Sequence, residues 1–502
     1  MGEQKIQAST KDSRVAVETF AGRIHVEWAP DAAVTPLGQL PFFIEFLKVS
    51  GLYDAFVNDC PLSYASNNAP EVRDVLGTLL LSILAGHNRY AHITNIRSDR
   101  VNPELLGMKE IASEDSIRRA LAKMEEISAL KWLNEQLGYS TYPVLSLAPW
   151  ILDIDNTVKP LYGKQEGAVR SYNPMKPGRP SHSYHSYFMG NTRLALGVEV
   201  EPGDEHTGKH MAAGLWELLD RLPREHWPAF IRGDVALGSE SIMKESEMRN
   251  MPYLFKLRLT ANVKKLIWRL IGNGDWTDAG QGFMGCEGSL SLAGWSRDRR
   301  VIVLKRPIRR EVLLDNGQIN LGFIETEDGI RKYEYQVLVT SLTEEILTIA
   351  QHYRDRGDSE NCFDELKNQW GWGGYTTKDI KRCRIMGRMV ALIYNWWSLF
   401  VRLANPDKHH EAITSRPLML HSVGRQTTHG GQTTVTITST HAKASAVQTV
   451  MRELAAFFKE LSRTAEQLKL MQRIKVIAMR AYRKLIAITA PLQNPKMLPE
   501  TT

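Results

Sequence analysis

Residues 150–258 carry, in order, WILDID (150–155), SYHSYFMG (183–190), RLALGVEVE (193–201), HMAAGLWELLDRL (210–222), AFIRGD (229–234), SESIMKESEMRN (239–250) and PYLFKLR (252–258). The first three and the fifth and seventh are short runs of apolar, aromatic and β-branched residues, the signature of strands. The fourth and sixth have the apolar spacing of helices. Three strands, a helix, a strand, a helix and a strand predict a mixed α/β sheet flanked by helices.

On the amino-terminal side, RVAVETFAGRIHVEW (14–28) alternates as a hairpin does, and helical spacing runs through PEVRDVLGTLLLSILAGHNRY (70–90). In SEDSIRRALAKMEE (113–126) a Ser/Asp start precedes helical apolar spacing, with Arg118 and Arg119 near the start. That helix suits DNA reading or an ordinary capped surface. Residues 1–140 are therefore expected to form a mainly helical, DNA-binding region, and 141–400 the α/β unit. From about 262 to 342 the alternation stops, and strand-like pieces such as RRVIVLKRPI (299–308) and YEYQVLVTSL (333–342) predict a β-rich insertion. A single long helix is expected over 342–370, where Thr343 and Glu345 favour the start. Residues 401–502 are read as a Ser/Thr/His/Gly-rich linker with one short strand, followed by helices; the last, RIKVIAMRAYRKL (473–485), is basic and amphipathic.

Composition narrows the class. Hydrophobic residues at 43% and charged residues at 24% are ordinary globular usage, which argues against disorder and against a membrane protein. Lys and Arg exceed Asp and Glu by 63 to 56, an excess of +7 that suits a polyanionic partner. The amino terminus is polar, and the run from Val75 to Ala85 falls short of the roughly 18 residues that suggest a membrane span. Cys60, Cys286, Cys362 and Cys383 form no CxxC pair, so neither zinc nor a disulfide framework is indicated and a reducing cytoplasm is expected.

Two strands each deliver an acid where they stop: Asp155 ends WILDID and Asp234 ends AFIRGD. Asp153 shares the strand parity of Asp155, so alternation does not choose between them. On the helix beyond, Tyr353, Arg356, Glu360 and Lys367 fall within an arc of about 60° at about 100° per residue. Asp364 lies one turn past Glu360 on nearly the same face, so geometry permits either acid. Acids at strand ends facing an acid on a helix are what a hard divalent ion takes as ligands, and two such ions can activate a nucleophile and stabilise the leaving oxygen in phosphodiester cleavage. Flanking cations can hold the DNA backbone. The competing reading of the helix is a salt-bridge ladder on an exposed face.

The stretch YRDRGDSENCFDELK (353–367), with Asp155-Asn156-Thr157 and Arg232-Gly233-Asp234, resembles the DDE transposases of bacterial insertion sequences, the group with a Tyr-Arg-Glu-Lys signature. The resemblance spans about 150–400 and implies a ribonuclease H-like catalytic core, whose strand and helix order is the one above. It implies that Asp155, Asp234 and Glu360 are the catalytic, metal-holding acids, and its spacing selects Asp155 over Asp153 and Glu360 over Asp364. It further implies Mg2+ (two ions, with Mn2+ able to substitute), cleavage at terminal inverted repeats, strand transfer into target double-stranded DNA, and a homodimer on DNA in the cytoplasm, nucleoid-associated when bound. Gly357 and Ser359 depart from the residues many relatives carry beside the signature. A silent, DNA-binding derivative is the alternative, against which the intact acids speak; a simple ribonuclease H-like hydrolase is a third reading.

Tyr353, Arg356 and Lys367 are expected to contact DNA. So are Lys176 and Arg179 in the loop after the first strand, where Lys159, Lys164 and Arg170 add charge and Tyr162 and Tyr172 interleave. His182, His185, His206 and His210 have metal-pair spacings but suit no hard ion and are set aside. Trp268 and Trp295, in or beside the insertion, suit either a core or base stacking.

Overall fold

The computed structural model describes residues 14–489, apart from 67, 171–175, 205–206, 309–322, 325–332 and 439–440. The expected order at the centre is present: β1 (Ile151–Pro160), β2 (Pro180–Met189), β3 (Leu194–Pro202), α1 (Thr207–Asp220), β4 (Phe230–Gly233), α2 (Glu240–Met248) and β5 (Tyr253–Lys256). β1 pairs antiparallel with β2, and β2 with β3, while β1, β4 and β5 run parallel to one another. The β1–β4 register sets Asp153 opposite Arg232 and Ile154 opposite Gly233. Asp234 directly follows β4, but Asp155 lies inside β1, opposite Ser186 of β2 and one residue past the last β1–β4 pair: the strand expected to stop at WILDID runs on to Pro160 because β2 keeps pairing with it.

The β-rich segment extends this sheet. After α3 (Ala261–Asn273) come β6 (Thr277–Gly280), β7 (Phe283–Leu290), β8 (Arg299–Pro307) and β9 (Tyr333–Thr340), and β9 pairs with β5. One eleven-stranded sheet results. Alternation of buried Val301, Val303, Val337 and Val339 with Ile302, Leu304 and Leu338 buries both faces of β8 and β9, which is why these runs are apolar without a break.

The long helix expected over 342–370 is two helices, α4 (Ile346–Arg354) and α5 (Gly357–Asn368). Asp355 and Arg356 stay in the right-handed region, but the Arg356 amide bonds to the Tyr353 carbonyl three residues back, tightening the turn between them. Tyr353 thus stands on α4 while Glu360 and Lys367 stand on α5. Next, α6 (Ile380–Ala404) is buried along most of its length.

α6 joins the terminal regions to the sheet. Its Trp397 and Phe400 lie edge-on to Phe43 at 5.3 Å, Trp396 lies edge-on to Phe56 at 5.4 Å, and Phe46 meets Phe458 of the carboxy-terminal helix Ala444–Ala465 at 6.2 Å. One apolar cluster runs from Leu37 to Tyr482. The helix Glu126–Leu145 crosses the boundary expected near 140. The presumed linker after 423 holds two strands, Val423–His429 and Gln432–Thr438, the first of which pairs with Val34–Thr35. Gly430 and Gly431, at φ 56° and 76°, close a two-residue hairpin turn that needs positive φ at both positions. Ser113 caps Glu114–Lys123 as expected, accepting from the Ser116 amide. Among the described residues, no helix is long and apolar enough to cross a membrane, and all four cysteines are free.

Arg299 at the start of β8 is 2% exposed and pairs with Glu240 at 2.5 Å and Glu247 at 2.7 Å, tying α2 to the added strands. Burial alone would raise the Glu240 carboxyl, but hydrogen bonds from Arg299 and the Ser296 amide outweigh it and hold the group down at about 2. A depressed carboxyl stabilises above its unfolded value and loses that contribution as pH falls through the folded one. Arg299→Met is expected to lower the unfolding free energy by about 1–3 kcal/mol, since Glu240 and Glu247 lose their shared cation while keeping the Ser296 amide, Arg297 and Tyr253 as partners. In urea titrations the gap between wild type and variant should narrow as pH falls from about 4.3 toward 2.

Candidate active site

Four side chains meet where β1, β4 and α5 converge. Arg356, buried at the turn before α5, directs one guanidinium nitrogen to the Asp155 carboxylate and the other to Glu360 Oε1 at 2.8 Å. Asp155 is nearly enclosed, its side chain 14% exposed, whereas Glu360 is 65% exposed. Asp234 accepts from the Ala236 amide at 2.9 Å, which shapes the turn leaving β4. Lys367, one face-repeat further along α5, donates to Thr157 Oγ1 at 2.9 Å.

Asp153 and Asp155 stand in different surroundings. Asp153 is held by Arg232 through two hydrogen bonds, Nε to Oδ1 at 2.5 Å and Nη2 to Oδ2 at 2.7 Å, with both side chains 2% exposed. It has no open side for a substrate. Asp364 is exposed and accepts from Asn368 at 2.7 Å, and Glu365 is buried, accepting from Trp370, the Ala412 amide and His409. Glu360 is the acid of α5 that shares Arg356 with Asp155.

Charge is concentrated here. Burial pushes the Asp155 carboxyl up to about 7; Asp234 and Glu360 push the same way, while Arg356 and the Asn156 amide oppose them. Burial would lower Arg356, but Asp155 and its neighbours hold it above the usual arginine range. Burial raises the Tyr353 phenol and lowers Lys367. Three carboxylates in mutual repulsion, one of them enclosed, form a site that attracts cations.

The donor set suits a hard divalent ion, because it is oxygen only. Among the described residues no three His, Cys, Asp or Glu side chains stand close enough together to hold an ion as they are arranged. The guanidinium of Arg356 lies between Asp155 and Glu360, so convergence of the two on one ion requires it to swing away. The sequence assigned Arg356 to DNA phosphate; in the structure its partners are the acids.

The cationic loop divides. Lys176 and Arg179 both lie over the Tyr162 ring, at 5.0 and 4.7 Å from its centroid, and Lys176 also donates to the Tyr162 hydroxyl. Tyr162 is 65% exposed, giving an aromatic face with two cations at the surface. Lys159 does not belong with them: β1 continues through it, and it is buried against Tyr184 and the Gly374 carbonyl, its ammonium lowered by burial to about 8. Tyr172 and His206 lie outside the described residues. The His185 and His210 rings are tilted against each other with centroids 4.9 Å apart, and His210 pairs with Glu199 at 3.2 Å. Trp268 is 44% exposed on α3, and Trp295 is partly buried under Arg299.

A family description, Transposase DDE domain group 1, matches residues 45–458. The chain belongs to that family. No curated protein matches the sequence of this transposase. A cryo-EM structure of a piggyBac transposase synaptic complex with hairpin DNA is similar at 12% identity, over 93% of this chain and 87% of that one, with a TM-score of 0.39.

The sequence reading names Arg232 only as part of Arg232-Gly233-Asp234; what it missed is the buried pairing of Arg232 with Asp153. An arginine inside the apolar run AFIRGD was the available signal, since a charge in a buried strand demands a buried partner.

A carboxyl raised by folding stabilises below its unfolded value and loses that contribution as pH rises through the folded one. In metal-free buffer the wild-type protein is expected to lose stability between pH about 4 and 7 relative to Asp155→Asn. Thermal melts of the two proteins across that range check it; parallel curves would show that Asp155 is ordinarily ionised.

Proposed function

We propose that this DDE transposase cuts double-stranded DNA at the inverted-repeat ends of its own element and joins the freed ends to target DNA, using Asp155, Asp234 and Glu360 as its metal-holding acids. The observation that carries the reading is the placement of Asp155 and Asp234 side by side, each one residue past the last pair of two adjacent parallel strands, with Glu360 linked to Asp155 through Arg356. Family membership supplies the transposase role.

Asp155, Asp234 and Glu360 would hold Mg2+ or Mn2+, which when bound lowers the charge on the scissile phosphate and activates a water or a 3′ hydroxyl. The residues of the chain do the rest. Asp155, inside β1, and Asp234, just past β4, fix two of the acids relative to the sheet. Glu360, exposed at the rim, is free to move toward them once Arg356 turns outward. Arg356 and Lys367, freed from Asp155 and Thr157, are placed to receive backbone phosphate beside the acids. Tyr162 with Lys176 and Arg179 offers a second contact with the duplex. Bringing two ends together for joining calls for two copies of the chain, a homodimer on DNA in the cytoplasm.

Asp155→Ala and Asp234→Ala are each expected to abolish cleavage and joining of end DNA in Mg2+ while leaving specific end binding in place. Glu360→Gln should be folded, DNA-binding and inactive, and Asp364→Asn active. An active Glu360→Gln beside a folded, inactive Asp364→Asn would move the third acid to Asp364.

Neutral replacement of Lys176 or Arg179 should weaken binding evenly across DNA sequences and reduce the slope of log K against log salt by about one per lost phosphate contact. Titrations over a range of salt concentrations read this directly, and an unchanged slope would remove that residue from the interface.

A further inference from the structure

Three elements deliver the proposed acids: β1, β4 and the α4–α5 turn. One buried side chain touches all three. Arg232 lies on β4 two residues before Asp234, and its Nε and Nη2 grip Asp153, two residues before Asp155 on β1. Its remaining terminal nitrogen, Nη1, donates to the His352 carbonyl in the last turn of α4, just before the turn that carries Arg356 and leads to Glu360. Two nitrogens of one planar group are thus committed to Asp153 and the third to His352.

The surroundings accommodate this geometry. Asp153 and Arg232 face each other in the parallel register, so the pair spans adjacent strands without distorting either. At the start of the β2–β3 turn, a Cβ on residue 190 would fall 2.3 Å from Asp153 Oδ2 and 3.0 Å from Arg232 Nη2; glycine there leaves the pair its space. The His352 carbonyl is one of the last of its helix and has no amide ahead of it in a regular ladder, because the chain tightens at Arg356. Arg232 supplies the missing donor.

From this we infer that Arg232 is a positioning residue for the acidic site: its ion pair with Asp153 and its bond to His352 set the spacing of Asp155, Asp234 and Glu360, and thereby the affinity for the divalent ion. This rests on the proposed function. A net stabilising role does not explain the arrangement, since a buried ion pair can be exchanged for apolar residues at little cost. Groups that orient metal ligands from behind typically change metal affinity or activity by about 10–100-fold when replaced.

The test uses full-length protein as the Asp153→Asn, Arg232→Met double variant, Arg232→Lys, Asp155→Asn and wild type. Mn2+ binding is measured by electron paramagnetic resonance on metal-free protein well below its melting temperature, and kcat and KM are measured on end DNA. The double variant is expected to bind Mn2+ about tenfold or more weakly and to lose kcat with KM little changed. Arg232→Lys keeps the charge opposite Asp153 but cannot reach Asp153 and His352 together, so it should fall between; it alone carries the test if the double variant does not fold. Wild-type Mn2+ affinity and kcat in a folded Arg232 variant, with Asp155→Asn inactive, would overturn this inference and leave the proposed function standing. Wild-type binding and cleavage by Asp155→Asn would overturn the proposed function and this inference with it.

Discussion

The ion pair between Arg232 and Asp153 is the constraint on which the rest of the site depends. Burying a guanidinium and a carboxylate costs several kcal/mol for each ion, and good geometry with further hydrogen bonds recovers that cost only in part. Here the geometry is bidentate and the third donor reaches a helix carbonyl. The return is therefore mainly placement: two neighbouring parallel strands and the end of a helix are held in one arrangement.

A second balance governs the proposed acids. Asp155 is enclosed and faces two other carboxylates, so it resists ionisation even with the Arg356 guanidinium beside it. The same contact occupies the side of Asp155 from which an ion would be held, and makes metal entry an exchange of one cation for another. Lys367 is similarly engaged by Thr157, so Arg356 and Lys367 both have partners within the protein.

The sheet also explains how a β-rich segment can interrupt the chain between β5 and α4 without disturbing the site. β9 pairs with β5 on the side away from β1, and Arg299 locks the added strands to α2 through two carboxylates. The chain returns from β9 directly into α4. The acids of β1 and β4 and the acid of α5 are separated in sequence by more than a hundred residues, yet among the described residues β5 alone stands between β4 and the added strands.

Much of this was legible in the residues themselves. Period-two and period-3.6 patterns over 150–258 reveal strands and helices in their true order, because those elements each bury one or both faces and the pattern records it. The acid where AFIRGD stops is visible for the same reason, but the apolar run WILDID hides that its strand continues past Asp155 to Pro160, held by pairing with β2 through residues that lack an apolar alternation. The spacing of Tyr353, Arg356, Glu360 and Lys367 marks one helical face, but not the break at Asp355 and Arg356, since both residues keep helical backbone angles and only the hydrogen bonding changes. The Gly430–Gly431 hairpin was hidden in a polar stretch whose exposed strands lack an apolar face. Which of two aspartates with the same parity is buried against an arginine, whether Lys159 lies in solvent or inside, and what Arg356 touches were decided by contacts between residues far apart in the chain. No local pattern encodes those contacts, because the partner of a buried charge is chosen by the packing of strands and helices, and only the assembled sheet brings Arg232, Asp153 and His352 to one point.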